Sequence, residues 1–146
     1  MQEAQKIIRP GSYAIMVRDN MVLLVKKTQG PYEGMLDLPG GKIEHGEHTI
    51  ETLKRELHEE IGAFNLNNIH LLGTYTQFTH HEWQGQKYHM HLLGIVYVVT
   101  DFTLGDHTGE VQDNDVDGYE WIPLSTINNY NTTPLVKDAL LEYTVH

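Results

Sequence analysis

The sequence predicts an α/β fold in which a mixed β-sheet is sandwiched between helices, and three observations predict it. Two neighbouring runs, residues 12–18 and 21–27, are rich in β-formers and apolar on both strand faces. Residues 48–61 carry helical periodicity with a glycine immediately behind them. Strand-like runs at 69–78, 88–100 and 119–122 then precede a second helical stretch. The 146 residues suit a single domain, 1–146, with a sizeable core.

The elements follow in order. Asp19-Asn20 separates the first two runs, and two turn-forming residues between such runs signal a tight hairpin. Ala14, Ile15, Met16 and Val17, then Val22, Leu23, Leu24 and Val25, place apolar groups on both faces. Strands of that kind lie centrally, with layers above and below. Residues 28–41 are dense in Gly and Pro and read as a loop with one short strand near 35–38. The helix over 48–61 should stop at Gly62, which suits a left-handed cap. At 3.6 residues per turn its apolar stripe comprises Ile50, Leu53, Leu57 and Ile61. A polar insert at 80–86 and an acidic loop at 105–118 lie between the later strands. Pro134 falls in the first turn of a terminal helix ending near Tyr143. There is no internal repeat, low-complexity tract or linker.

Charge narrows the function. Twenty acidic against ten basic residues give a formal charge of −10, which argues against a generic nucleic-acid binder needing a basic surface. Most of these carboxylates are expected on a solvated surface, but a concentrated group would bind divalent cations and recruit an anionic substrate. The absence of cysteine excludes disulfides, thiolate catalysis and cysteine zinc sites. The first ten residues lack the apolar core of a signal peptide, and no run approaches the about 20 apolar residues of a membrane span. The expectation is a soluble, cytoplasmic protein.

The chemistry concentrates in residues 41–63, GKIEHGEHTIETLKRELHEEIGA. Glu56, Glu59 and Glu60 cluster on one helix face, since neighbours three and four apart meet there. They repel one another and lie at the helix C-terminal end, where the dipole disfavours negative charge. A divalent cation removes that conflict, because Mg²⁺ and Mn²⁺ take hard oxygen ligands. A solvated acidic face is the plainer alternative. Arg55 lies one turn from both Glu51 and Glu59 and is placed to hold a carboxylate by ion pairing.

This stretch resembles the Nudix box of the MutT-like Nudix hydrolases. Gly41, Glu47, Arg55, Glu56, Leu57, Glu59, Glu60 and Gly62 fill its fixed positions, with Ala63 as a small replacement for the usual aliphatic residue. Leu38-Pro39-Gly40-Gly41 leads in as in many members, and residues 119–124 look like the family's closing strand. The resemblance implies a Nudix fold and a divalent-metal-dependent hydrolase that cuts a phosphoanhydride bond with an activated water. It implies Glu56, Glu59 and Glu60 as ligands of Mg²⁺ or Mn²⁺, with a backbone carbonyl from Gly40 or Gly41. Glu56 or Glu59 would orient or deprotonate the water, Arg55 would be the orienting cation, and Glu47 would support the loop at the helix start. Many members bring one more carboxylate from the acidic loop, where Glu110 and Asp115 are the candidates.

The substrate implied is a small nucleotide-like diphosphate or a nucleoside triphosphate. Markers that accompany ADP-ribose, diadenosine polyphosphate, coenzyme A and NADH in relatives are missing; Phe78-Thr79-His80 occupies the zone of the first. Three alternatives stand beside this reading. A nucleotide-binding module without activity would show a damaged box, and this box is intact. An isopentenyl-diphosphate isomerase depends on a cysteine that this chain lacks. An RNA 5′-end pyrophosphohydrolase should be basic. His89-x-His91, with His80-His81 upstream, suggests a histidine metal site, but no motif spacing supports one. Trp83, Tyr75 and Phe78 are able to stack on a base, although such residues more often pack in cores or loops. A homodimer is left open.

Overall fold

The computed structural model describes residues 3–105 and 116–145. Its elements are β1 (Gln5–Ile15), β2 (Val17–Arg18), β3 (Met21–Lys27), β4 (Leu36–Asp37), β5 (Gly40–Lys42), α1 (Thr49–Ile61), β6 (Ala63–Trp83), β7 (Gln86–Leu104), β8 (Val116–Pro123), a 3-10 helix (Leu124–Asn129) and α2 (Pro134–Val145). The strands form two four-stranded sheets. One has the order β5-β1-β7-β6, with β1 and β7 parallel and the other pairs antiparallel. In the other, β3 pairs antiparallel with β2, β4 and β8.

The helix–sheet–helix layering is the one the sequence predicts, and strand alternation explains how two apolar faces serve two helices. Ala14, Met16, Leu23 and Val25 pack with Leu53, Leu57 and Ile61 of α1. Ile15, Val22 and Leu24 pack with Leu135, Val136, Ala139 and Leu140 of α2. Leu53 and Leu57 are completely buried, which contributes about 1.5–3 kcal/mol each. Asp19 and Asn20 both take positive φ, 53° and 60°, as a primed two-residue turn demands. The hairpin is shorter than the sequence suggests: only Val17 and Arg18 pair with Val22 and Met21, because the chain crosses from one sheet to the other at Met16.

Two further expectations are corrected. Ile50 is 38% exposed and lies outside the buried stripe; Thr52, Glu56 and Glu60 are buried beside Leu53, Leu57 and Ile61 instead. The region read as a polar insert is mostly strand. His80 pairs with His89 and Trp83 with Gln86, and only Gln84 and Gly85 turn, at φ 49° and 78°. A two-stranded arm with a solvated face has too few apolar residues to announce itself by alternation.

Candidate active site

The site begins with how α1 is fixed. The His48 N–H donates to Glu51 Oε1 (3.3 Å) at its start, and Gly62, at φ 69°, donates its N–H to the His58 carbonyl (3.0 Å) at its end. Between them, burial of Leu53, Leu57 and Ile61 carries Glu56 and Glu60 under β5, where they are only 8% and 2% exposed. Two glycines allow that approach. The Gly40 N–H donates to Glu60 Oε1 (2.9 Å), and with φ 139° and the Ser12 carbonyl 2.1 Å from where a Cβ would sit, no other residue fits. A Cβ on Gly41 would lie 2.5 Å from the Glu56 carboxyl carbon.

Arg55 organises the carboxylates. Its Nε and Nη2 donate to Glu47 Oε2 (2.7 Å) and Oε1 (2.9 Å), a forked pair. Nη1 donates to Glu56 Oε1 (2.9 Å) and Glu59 Oε2 (3.3 Å), and Nη2 also reaches the Lys42 carbonyl (3.2 Å). Glu47 Oε1 further accepts the Thr52 hydroxyl and Oε1 the Glu44 N–H, both at 2.9 Å. Hydrogen bonding from Arg55 above all holds the Glu47 carboxyl down at about 2. The same bond, with the Glu56 and Glu47 charges, raises the Arg55 guanidinium. The pairing expected with Glu51 does not form, since Glu51 caps the helix start.

A cavity of about 350 Å³ opens on the α2 side of β1. Tyr32, Trp83 and Tyr88 give it flat aromatic walls, and Arg9 and Lys27 give it positive charge. Asp37 is 7% exposed; its Oδ1 accepts the Thr133 hydroxyl (2.7 Å) and the Leu38 N–H (2.9 Å). Burial pushes the Asp37 carboxyl up. Tyr13 lines the cavity and pairs with Gly40 across the β1–β5 register, so it joins the cavity to the strand that touches Glu60. Burial, then the Asp37 charge, pushes its phenol up.

Of the residues singled out in the sequence, Gly40, Gly41, Glu47, Arg55, Glu56, Glu59 and Glu60 come together here. Gly62 terminates the helix rather than entering the cluster. Glu110 and Asp115 lie outside the described residues. Trp83 lines the cavity, whereas Phe78 is 65% exposed and Tyr75 packs beside the α2 core. His80 and His89 stack with ring centres 4.6 Å apart. Among the described residues no three His, Asp or Glu side chains converge as they stand on a metal position. In the box the reason is visible: Arg55 holds Glu56 and Glu59, and Glu60 turns to Gly40. Sequence reasoning missed Tyr13, Asp37, Arg9 and Lys27. The one signal was Asp37 itself, an acid between Leu36 and Leu38 in a short strand.

Known proteins share the family and the fold of this chain. The NUDIX domain family model matches residues 8–142. An ADP-ribose pyrophosphatase of Methanocaldococcus jannaschii is 40% identical over 62 residues, covering 42% of this chain and 36% of that protein. An 8-oxo-dGTP diphosphatase of Haemophilus influenzae is 38% identical over 64 residues, covering 43% of this chain and 47% of that protein. The matched segments thus span less than half the length of either curated relative. Among solved structures, a MutT NUDIX hydrolase from Burkholderia pseudomallei is similar with a TM-score of 0.64 and 26% identity, covering 93% of this chain and 95% of that one. Among the described residues no helix is long and apolar enough to cross a membrane.

Proposed function

Because this chain belongs to the NUDIX domain family, we propose that it is a hydrolase that cuts a pyrophosphate bond in a small nucleotide-like substrate with the help of a divalent cation. The observation that carries the reading is the carboxylate network of Glu47, Glu56 and Glu59 on Arg55, set beside Glu60 and the cavity that Tyr13 joins to it.

The donor set suits a hard divalent ion such as Mg²⁺ or Mn²⁺: carboxylates of Glu56, Glu59 and Glu60, with the Gly40 carbonyl. Gly41, where a side chain would collide with the Glu56 carboxyl, lets that carboxylate lie against β5. The chemistry supplied by such an ion is neutralisation of phosphate charge and activation of water. Glu56 or Glu59 takes the proton of the attacking water, and Arg55 fixes where both carboxylates point. Glu47 fixes Arg55 in turn. Glu60, through the Gly40 N–H, sets the height of β5 over the helix. In the cavity, Tyr32, Trp83 and Tyr88 would stack against a flat base, and Arg9 and Lys27 would meet phosphate or ribose oxygens. Glu110 and Asp115 are proposed as a further acid on sequence grounds alone.

Both a nucleoside triphosphate and an ADP-ribose-like diphosphate fit this chemistry, and the names of the two curated relatives divide the same way. The test is hydrolysis of a panel of nucleoside triphosphates and nucleoside diphosphate sugars with Mg²⁺ or Mn²⁺, with product identification by chromatography. Release of pyrophosphate from a triphosphate supports the first class, and two monophosphates from a diphosphate sugar support the second. No turnover on any member of the panel would refute the reading.

A further inference from the structure

Asp37 is a buried acid that the proposed chemistry leaves without a task. It lines the aromatic-walled cavity rather than the carboxylate cluster on α1, and none of the ion pairs among the described residues includes it. Its two carboxyl oxygens differ. The Leu38 N–H and the Thr133 hydroxyl both donate to Oδ1, at 2.9 and 2.7 Å, and no described residue donates to Oδ2. The Thr133 bond has a fixed direction: its hydroxyl oxygen also accepts the Val136 N–H (3.3 Å) at the start of α2, and its one proton is left for Asp37. Nor is Oδ2 sealed off. Ser12 Oγ and Tyr75 Oη are the inaccessible side-chain polar atoms without a partner among the described residues, and Oδ2 is not one of them. A carboxylate oxygen with no donor inside the protein and access to a cavity is an acceptor offered to whatever the cavity holds.

The surroundings define that ligand. Tyr32, Trp83 and Tyr88 are flat walls for a planar ring. A ring stacked on such walls meets the other cavity-lining groups through its edge, where its hydrogen-bonding atoms lie. Burial pushes the Asp37 carboxyl up, while the Lys27 charge, the two donated hydrogen bonds and the Arg9 charge act to keep it ionised. An ionised carboxylate only accepts, so Oδ2 selects a donor on that edge. We propose that Asp37 is a specificity-determining residue that accepts a hydrogen bond from the exocyclic amino group of a nucleobase, so that the substrates are nucleotides of amino-bearing bases in preference to their deaminated counterparts. A keto oxygen in the same place would set acceptor against acceptor and leave both unpaired. The inference rests on the nucleotide-hydrolase reading above and adds the base to it.

The test is calorimetric binding of AMP, GMP and CMP against the deaminated IMP and UMP by the full chain, at about pH 8, well above the usual carboxylate range. The parent should bind an amino-bearing nucleotide best, and its deaminated counterpart about tenfold or more weakly, the worth of a hydrogen bond to a charged group. Asp37→Asn keeps the shape and carries a definite sign. The Leu38 N–H and the Thr133 hydroxyl still need an acceptor, so the amide oxygen stays on them and the amide NH₂ turns to the cavity as a donor. The parent's preference should therefore vanish, and reverse for AMP against IMP or CMP against UMP, where a keto oxygen replaces the amino group. Asp37→Ala, which serves if the Asn variant does not fold, should lose the preference. An Asp37 that only ties β4 to α2 through Thr133 predicts a lower melting temperature with the binding ratio unchanged. That result in either variant overturns the proposal, as does a parent that binds the deaminated counterparts equally well or better, or binds none of these nucleotides. The expected ratio without hydrolysis of any nucleoside triphosphate or diphosphate sugar supports the role of Asp37 and overturns the hydrolase reading beneath it, which is a separate result.

Discussion

Arg55 holds Glu47 with two nitrogens, at 2.7 and 2.9 Å, while its remaining nitrogen spans Glu56 and Glu59 on the same helix face. This makes Glu47, outside the helix, the anchor for a guanidinium that sets two carboxylates inside the cluster. Arg55→Lys should therefore lower kcat about tenfold or more, because an ammonium cannot make the planar fork and the second reach together. The melting temperature should fall by only a few degrees, since a partly exposed ion pair contributes little stability. Steady-state kinetics beside a melting curve checks it; full activity with a large stability loss would make Arg55 structural.

The Glu47 carboxyl is held down to about 2 by the Arg55 hydrogen bond first and the Glu44 N–H next. A depressed carboxyl contributes stability that is present above its unfolded pKa, about 4.3, and is lost as pH falls through the folded value. Any stability advantage of the parent over Glu47→Gln should thus be constant from pH 6 to 8 and shrink between about pH 4.5 and 2. Melting curves across that range decide it. An advantage that changes near neutrality would point to another group.

The two glycines of β5 should respond differently. Gly40→Ala places a Cβ against the Ser12 carbonyl at φ 139° and should impair folding, with a cost above the about 1 kcal/mol typical of substitutions. Gly41→Ala meets the Glu56 side chain first, the far end of a flexible group that is able to shift. It should fold and lose rate about tenfold or more, as Glu56 is displaced. Comparing urea midpoints with turnover for both variants tests the contrast.

Trp83→Ala should raise KM by about tenfold, near the worth of one base–aromatic stack, and leave kcat within about twofold. A matching fall in kcat alone would remove Trp83 from substrate binding.

Much of the fold and of the carboxylate cluster is legible in the sequence because its causes are local. Helical spacing brings Glu56, Glu59 and Glu60 to one face, and Gly62 ends the helix at φ 69° as its place behind Ile61 predicts. What escapes is set by contacts between distant segments. Glu47 becomes the anchor of Arg55 only when the loop folds back eight residues along the chain. Asp37 meets Thr133 across 96 residues, and Gly40 and Gly41 come to face Tyr13 and Ser12 only through the β1–β5 register. The 80–86 arm hid because its strand pairing, not apolar burial, orders it.

The most direct test of the central claim is hydrolysis of a nucleotide panel by the purified chain in EDTA, with added Mg²⁺ or Mn²⁺, and with Glu60→Gln in place of the parent. The account predicts no turnover in EDTA and recovery with millimolar cation. It also predicts a loss of about 10²-fold or more in the variant, which removes a ligand charge while keeping its shape. Undiminished turnover in EDTA, or parent-like turnover by Glu60→Gln, would contradict it.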